Sequence, residues 1–135
     1  MIRDNFLHSD ITAKIIKAYY NVYNTLGYGF LERVYENALV IELKKLGLSG
    51  EKQKQIDVFY ENENVGLYFA DIIVENLIVI ELKATEGLIE ENELQLVNYL
   101  KATDFEVGLL FNFGKEPEYK RKVFLNEFKK HKTKS

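Results

Sequence analysis

Polar side chains that could hold a metal interrupt an apolar stretch between residues 71 and 83. Asp71 precedes Ile72-Ile73-Val74, and Glu81-Leu82-Lys83 follows the apolar run 77–80. A charge in a buried strand is costly unless it is paired or bound to a metal. Hard cations such as Mg²⁺ prefer oxygen ligands, and Asp71, Glu81 and the Leu82 backbone carbonyl could supply them. The pattern therefore favours a metal-dependent phosphodiesterase.

Three further side chains could support this chemistry. Lys83, placed beside a phosphate, could orient or help deprotonate the attacking water and stabilise developing charge. Gln95 could hold the water or Lys83, and Tyr99 lies one turn further along the same helical face. Alternatively, Glu81 and Lys83 form a surface ion pair that protects an edge strand from aggregation. For Gln95 and Tyr99 the alternative is a solvated helix face.

The turn between the two apolar strands decides whether Asp71 and Glu81 share a face of the sheet. Side chains alternate with a period of two along a strand, and opposed residues share a face. A two-residue turn at positions 75–76 would pair Asp71 with Ile80. A three-residue turn, Glu75-Asn76-Leu77 with Asn76 left-handed, pairs Asp71 with Glu81 and places Lys83 on the same face. We predict the three-residue turn or an equivalent bulge.

The remaining sequence predicts helices and strands around this hairpin. Helical spacing of apolar residues, with Gly27 and Gly47 as stop signals, predicts three helices, at 9–26, 30–46 and 90–102. Alternating or continuous apolar residues predict four strands, at 53–60, 65–74, 77–84 and 107–113. Pro117 and the apolar stripe after it predict a last, basic helix. The predicted order α-α-β-β-β-α-β-α is an α/β fold with a mixed sheet, its third and fourth strands parallel.

Length and composition indicate one globular domain over residues 1–135. The chain has 135 residues, of which 47% are hydrophobic and 29% charged. It has no cysteine, which excludes disulfides, thiolate nucleophiles and thiolate zinc sites. No apolar run approaches the length of a membrane span, and the N-terminus is too polar for a signal peptide. We therefore expect a cytoplasmic protein without membrane contact.

Charge is unevenly distributed along the chain. The net charge is −3, yet from residue 115 onward eight Lys and Arg face three Glu. This basic C-terminal helix and tail could steer a polyanion by long-range attraction, or it could be no more than a solvated helix with a frayed end. The acidic remainder argues against tight non-specific binding of nucleic acid unless metal ions offset the carboxylates.

Several segments of this chain resemble the PD-(D/E)xK nuclease superfamily. Asp71 with Glu81-x-Lys83 is similar to its signature, with Ala70 at the position of the proline, and Gln95-x-x-x-Tyr99 resembles the QxxxY motif of its exonuclease-like branch. Residues 29–35 resemble the GxxExxY pattern that names a family of small proteins assigned to this superfamily. The resemblance extends from about residue 10 to residue 114.

The resemblance implies a restriction-endonuclease-like α/β/α core and a nuclease that uses Mg²⁺ or Mn²⁺ to cut nucleic acid, DNA rather than RNA. It implies that Glu32 is an acidic residue contributed by the helix before the sheet. Asp71, Glu81 and Lys83 would form the catalytic centre. Gln95 would complete the catalytic set, and Glu32 would join Asp71, Glu81 and the Leu82 carbonyl around the metal. Tyr35 and Tyr99 could contact the substrate, although packing is the alternative for Tyr35.

A second class of function is a nuclease-fold protein that binds nucleic acid or a protein partner with little or no catalysis. The intact set of five candidate catalytic residues favours the enzyme over this binding module. The tyrosines of the first helix exceed what one buried face needs, and they could form a homodimer contact or serve as core and rim. These are Tyr19, Tyr20 and Tyr23.

Overall fold

The computed structural model describes residues 7–129, which form three α-helices and five β-strands. The predicted basic tail from residue 130 lies outside the described residues. In chain order the elements are α1 (Ser9–Leu26), α2 (Glu32–Lys45), β1 (Gly50–Tyr60), β2 (Glu63–Val74), β3 (Ile78–Lys83), α3 (Glu90–Ala102), β4 (Val107–Phe113), β5 (Pro117–Val123) and a 3₁₀ turn (Asn126–Phe128).

The five strands form one mixed sheet in the order β1-β2-β3-β4-β5. Strands β3 and β4 are parallel, as predicted, and α3 connects them; the other neighbouring pairs are antiparallel. Every residue of β4 is buried, which agrees with its continuous apolar sequence and its position between two partners. The α/β class and the mixed sheet are therefore confirmed.

Apolar side chains on the two faces of the sheet form two separate cores. One core joins the sheet to α1 and α2, through residues such as Ile15, Leu39 and Ile80. The other joins it to α3, through residues such as Val79 and Leu96. The helices therefore cover opposite faces of the sheet, in the α/β/α arrangement that the resemblance implies.

The predicted last helix is wrong, because the chain from Pro117 forms an edge strand. Strand β5 pairs antiparallel with β4, from Val107 opposite Val123 to Phe113 opposite Pro117. Proline is tolerated at the first residue of an edge strand, where its missing N–H matters least. Tyr119 and Val123 are four residues apart, a spacing that suits one face of a helix and equally one face of a strand. The basic residues of this segment therefore lie on a sheet edge.

The tyrosines of α1 pack within the chain. Tyr19 is fully buried, with its ring stacked on Phe111 at 4.3 Å between centroids. Its hydroxyl donates to the Asn112 carbonyl of β4 and accepts from the Glu118 N–H of β5. The Tyr23 hydroxyl donates to the Gly114 carbonyl at 2.7 Å. These residues serve as core and rim, so they give no support to the homodimer contact considered above.

Tyr35 fastens the loop before α2. Its hydroxyl donates to the Gly27 carbonyl at 2.7 Å and accepts from the Phe30 N–H at 3.2 Å. Its ring is fully buried and stacks on Phe113 at 4.0 Å between centroids. This burial agrees with the packing alternative for Tyr35, and its contact with substrate stays a prediction.

We expect Tyr35→Phe to lower the free energy of unfolding by about 1–2 kcal/mol, because the ring stack remains while two loop hydrogen bonds are lost. Chemical denaturation measures the change, and Tyr28→Phe, at an exposed tyrosine of the same loop, is the control. Equal stability of Tyr35→Phe and the wild-type protein would show that the hydroxyl does not hold the loop.

Candidate functional site

The turn between β2 and β3 has the predicted three residues. Glu75 and Asn76 both adopt left-handed backbone conformations, with φ of 54° each. The paired residues are Ile72 with Ile80, Ile73 with Val79 and Val74 with Ile78. The predicted register is confirmed, and continuing it by one residue brings Asp71 opposite Glu81.

The alternation of side chains along β2 breaks at Asp71. Tyr68 and Ala70 pack in the core beneath α3, whereas Ile72 and Val74, which are in phase with them, pack in the core beneath α1 and α2. The strands β1 and β2 thus exchange faces at this point, and Gln53 of β1 lies opposite Asp71 between the pairs Lys52–Ile72 and Lys54–Ala70. The break allows the Asp71 side chain to lie between β2 and β3 instead of on one face.

Asp71 is held by a hydrogen bond to each of its carboxylate oxygens. Oδ2 accepts the Leu82 backbone N–H at 2.7 Å, and Oδ1 accepts from Gln53 Nε2 at 3.3 Å. Burial raises the pKa of Asp71 above its ordinary value, and the two hydrogen bonds and Lys83 oppose the rise only in part. The carboxylate is therefore oriented but has little charge compensation.

Glu81 is the most strongly perturbed carboxylate of the centre. Burial raises its pKa to about 8, Asp71 adds to the rise, and Lys83 opposes it. Its Oε2 atom is buried and has no hydrogen-bond partner among the described residues. A buried carboxylate oxygen without a partner is costly, so this atom is available to a cation.

Glu32 at the start of α2 and Asp71 line one cleft, but among residues 7–129 the side chains of Glu32, Asp71 and Glu81 do not group closely enough to hold one metal ion together. The pKa of Glu32 is raised above its ordinary value, mainly by burial. The charge of Lys83 opposes this rise, and the charge of Asp71 adds to it. A cleft of about 360 Å³ separates the first turn of α2 from the sheet. The residues that line it are Glu32, Arg33, Glu36, Gln53, Asp71 and Leu82.

Lys83 is the cation that these carboxylates share. It lowers the pKa of Glu32, Asp71 and Glu81 alike, so its charge acts on all three carboxylates, although no ion pair within 4.0 Å joins it to any of them among residues 7–129. One ammonium group cannot neutralise three carboxylates. The centre therefore retains an excess of negative charge, which a divalent cation would offset.

Gln95 contacts Tyr99 among the residues that the structure describes, and no hydrogen bond joins it to Lys83. Its side chain is exposed, and Nε2 donates to the Tyr99 hydroxyl at 2.8 Å. The ring of Tyr99 stacks on Tyr68 at 3.5 Å between centroids, and burial, followed by the charge of Glu81, raises the pKa of Tyr99. The direct catalytic role proposed for Gln95 stays a prediction, and its contact is with Tyr99.

The donor set fits a hard divalent cation. Asp71 and Glu81 could provide carboxylate oxygens, and Leu82, which lines the cleft, could provide its backbone carbonyl. Within residues 7–129 no cluster of three or more His, Cys, Asp or Glu side chains is arranged as a metal site. Asp71 and Glu81 are two side chains of this kind, one fewer than such a cluster requires, and the Leu82 carbonyl is a main-chain group. The unpartnered Oε2 of Glu81 is the observation that favours a cation here.

This sheet and its carboxylate–lysine centre at the junction of two strands define the restriction-endonuclease-like class of proteins. A family model described as "PD-(D/E)XK nuclease superfamily" matches residues 9–123, and the chain belongs to this superfamily. Other members of the superfamily generally use divalent metals and act on nucleic acid.

Comparison with individual proteins supports the fold and nothing further. No curated protein matches the chain. A solved structure described as "Crystal structure of SSO0001" is similar with a TM-score of 0.53 and 20% sequence identity. The match covers 91% of this chain and 62% of that chain, so the present sequence corresponds to less than two thirds of the similar protein. Among residues 7–129, no helix is both long enough and apolar enough to span a membrane.

Four residues at or near the centre were not predicted from the sequence: Arg33, which lines the cleft beside Glu32, and Glu36, Gln53 and Tyr68. Glu36 follows Glu32 by one helical turn, so helical spacing places it on the same face and could have identified it. Gln53 has no such signal, because its position depends on the pairing of β1 with β2. Tyr68 stacks on Tyr99, and its buried hydroxyl has no partner among the described residues. In the sequence it fits the alternating pattern of a strand like any other residue, so nothing marked it as part of the centre.

We predict that Glu81 makes the stability of the metal-free protein fall with rising pH. Its folded-state pKa of about 8 exceeds its ordinary value of 4.5, so folding favours the protonated form. Its stabilising contribution is present in full below pH 4.5 and is lost as the pH rises to about 8. Relative to Glu81→Gln, the free energy of unfolding of the wild type should decrease across this window by at most about 1.4 kcal/mol per pH unit.

Denaturant titrations in a chelator at several pH values test this prediction. Glu90→Gln, at an exposed glutamate in the first turn of α3, is the control and should follow the wild type. Parallel pH profiles for the wild type and Glu81→Gln would contradict the assignment.

Proposed function

We propose that this domain is a nuclease that hydrolyses phosphodiester bonds with the help of Mg²⁺ or Mn²⁺. The observation that supports it most strongly is the buried Glu81 carboxylate, with one unpartnered oxygen, beside Asp71 and Lys83. A structural ion pair would leave neither a surplus carboxylate nor a free oxygen. A centre that binds a divalent cation has a use for both.

Asp71, Glu81 and the Leu82 carbonyl would hold the cation, and Glu32 would face it across the cleft. When bound, the cation supplies Lewis-acid polarisation of the phosphoryl oxygen. Asp71 is oriented for this purpose by the Leu82 N–H. Glu32 lies at the N-terminus of α2, where the helix dipole favours the charged carboxylate that a cation needs.

Lys83 and Arg33 are the cationic side chains suited to the substrate. The charge of Lys83 acts on the carboxylates, and its ammonium group would orient the attacking water and stabilise charge that develops on the phosphoryl group. Arg33 lines the same cleft, and its guanidinium can bind phosphate oxygens in a bidentate manner. Tyr99, half-buried beside Glu81, is a further candidate for contact with the substrate.

We further infer that the chain belongs to the GxxExxY family and acts on DNA rather than RNA. The motif residues Gly29, Glu32 and Tyr35 support the first inference, since Glu32 lines the cleft and Tyr35 fastens the loop that precedes it. The restriction-endonuclease-like fold supports the second.

We expect purified protein to cleave DNA in the presence of Mg²⁺ or Mn²⁺, and Lys83→Ala to reduce the rate by about 100-fold or more, because an ammonium group beside the phosphoryl group is lost. Single-stranded DNA, double-stranded DNA and RNA are compared as substrates, with and without chelator. Lys45→Ala, at the exposed C-terminal turn of α2, is the matched control.

Equal cleavage by Lys83→Ala and the wild type would indicate a contaminating nuclease. A folded wild-type protein that binds Mn²⁺ and nucleic acid without cutting it would contradict the enzyme and favour the binding module.

A further inference from the structure

Gln53 has an unfavourable backbone conformation in the middle of a long strand. Its φ is 53°, within β1 and opposite Asp71 in the pairing with β2. Left-handed φ is uncommon for residues other than glycine, asparagine and aspartate, and such outliers concentrate at functional sites. Gln53 is also exposed, so packing in the core does not force this conformation.

The Gln53 side chain connects two carboxylates across the cleft. Its Nε2 donates to Glu36 Oε2 at 2.8 Å and to Asp71 Oδ1 at 3.3 Å. Because both partners are acceptors, the amide NH₂ and not its oxygen must face them. Glu36 is buried in the first part of α2, so the shorter of the two hydrogen bonds fixes the amide to a rigid element.

We propose that Gln53, anchored by Glu36, is a positioning residue that orients the Asp71 carboxylate for cation binding. Asp71 Oδ2 is held by the backbone of β3, and Gln53 holds the other oxygen. Partners of this kind fix the orientation of a carboxylate ligand, and their loss typically weakens metal binding 10- to 100-fold. The proposal rests on the nuclease function proposed above, because it assigns Asp71 as a metal ligand.

A neutral donor suits this position better than a cation or a carboxylate. It separates Glu36 from Asp71 without neutralising either, so Asp71 keeps its negative charge for the cation. A lysine would compete with the metal for Asp71, and a glutamate would add a further negative charge. The left-handed backbone is retained because it aims the amide between the two carboxylates.

The experiment measures Mn²⁺ affinity by calorimetric titration, with steady-state cleavage kinetics in parallel, for Gln53→Met and Gln55→Met. Methionine keeps the length of the side chain and removes the donor. Gln55 is exposed on the same strand and donates to Asp57 at 2.9 Å, away from the cleft. We expect Gln53→Met to raise the Kd for Mn²⁺ at least tenfold and to lower kcat with a smaller change in KM, while Gln55→Met matches the wild type.

Gln53→Gly separates the role of the side chain from that of the backbone. Glycine adopts positive φ readily, so this variant should melt at a higher temperature than Gln53→Met while showing the same weakened binding of Mn²⁺. It therefore also tests the proposal if Gln53→Met does not fold. Gln53→Asn, which tolerates left-handed φ and keeps an amide, should recover part of the affinity.

The outcomes separate this proposal from the proposed function. If the wild type binds Mn²⁺ and cleaves DNA while Gln53→Met and Gln53→Gly do the same with unchanged constants, the positioning role is wrong and the nuclease assignment stands. If the wild type neither binds Mn²⁺ nor cleaves, the proposed function is wrong and the role of Gln53 is refuted with it.

Discussion

The transfer of the Glu81 carboxylate from water into the sheet determines how the rest of the centre is built. Burial, and after it the charge of the neighbouring Asp71, raises the pKa of Glu81 to about 8. Lys83 compensates only part of this charge, because Glu32 also depends on it. A fold that served stability alone would place an apolar residue here, since a well-packed apolar side chain is commonly as good as a buried ion pair or better. The excess negative charge is therefore best understood as the part of the centre that a cation completes.

Three backbone features bring the carboxylates together. The three-residue turn after β2 sets the register that places Asp71 opposite Glu81. The exchange of faces at Gln53 and Asp71 turns the Asp71 side chain toward the Leu82 N–H. Tyr35 fastens the loop before α2 and so fixes where Glu32 begins its helix. None of these features takes part in the proposed reaction. Together they position the carboxylates of Glu32, Asp71 and Glu81 relative to one another.

The sequence predicted the features that follow from local periodicity and failed where a pattern fits two structures. The register of the β2–β3 hairpin could be predicted because only an odd-numbered turn pairs Asp71 with Glu81, and Asn76 tolerates the left-handed backbone of such a turn. The strand at Pro117–Val123 was missed because Tyr119 and Val123 are spaced for a helix and a strand alike. The partner of Gln95 could not be deduced, since helical spacing gives the face of a residue but not its contact. Gln53 had no signal, because glutamine has no preference for positive φ and its partners come from two other elements.

The most direct test of the central claim is a crystal structure of the protein with Mn²⁺, with anomalous differences measured at a wavelength where manganese scatters strongly. We expect one strong peak in contact with Asp71, the Glu81 oxygen that has no partner among the described residues, and the Leu82 carbonyl. Manganese bound elsewhere, or a centre in which Lys83 and a protonated Glu81 remain without a cation at neutral pH, would contradict it.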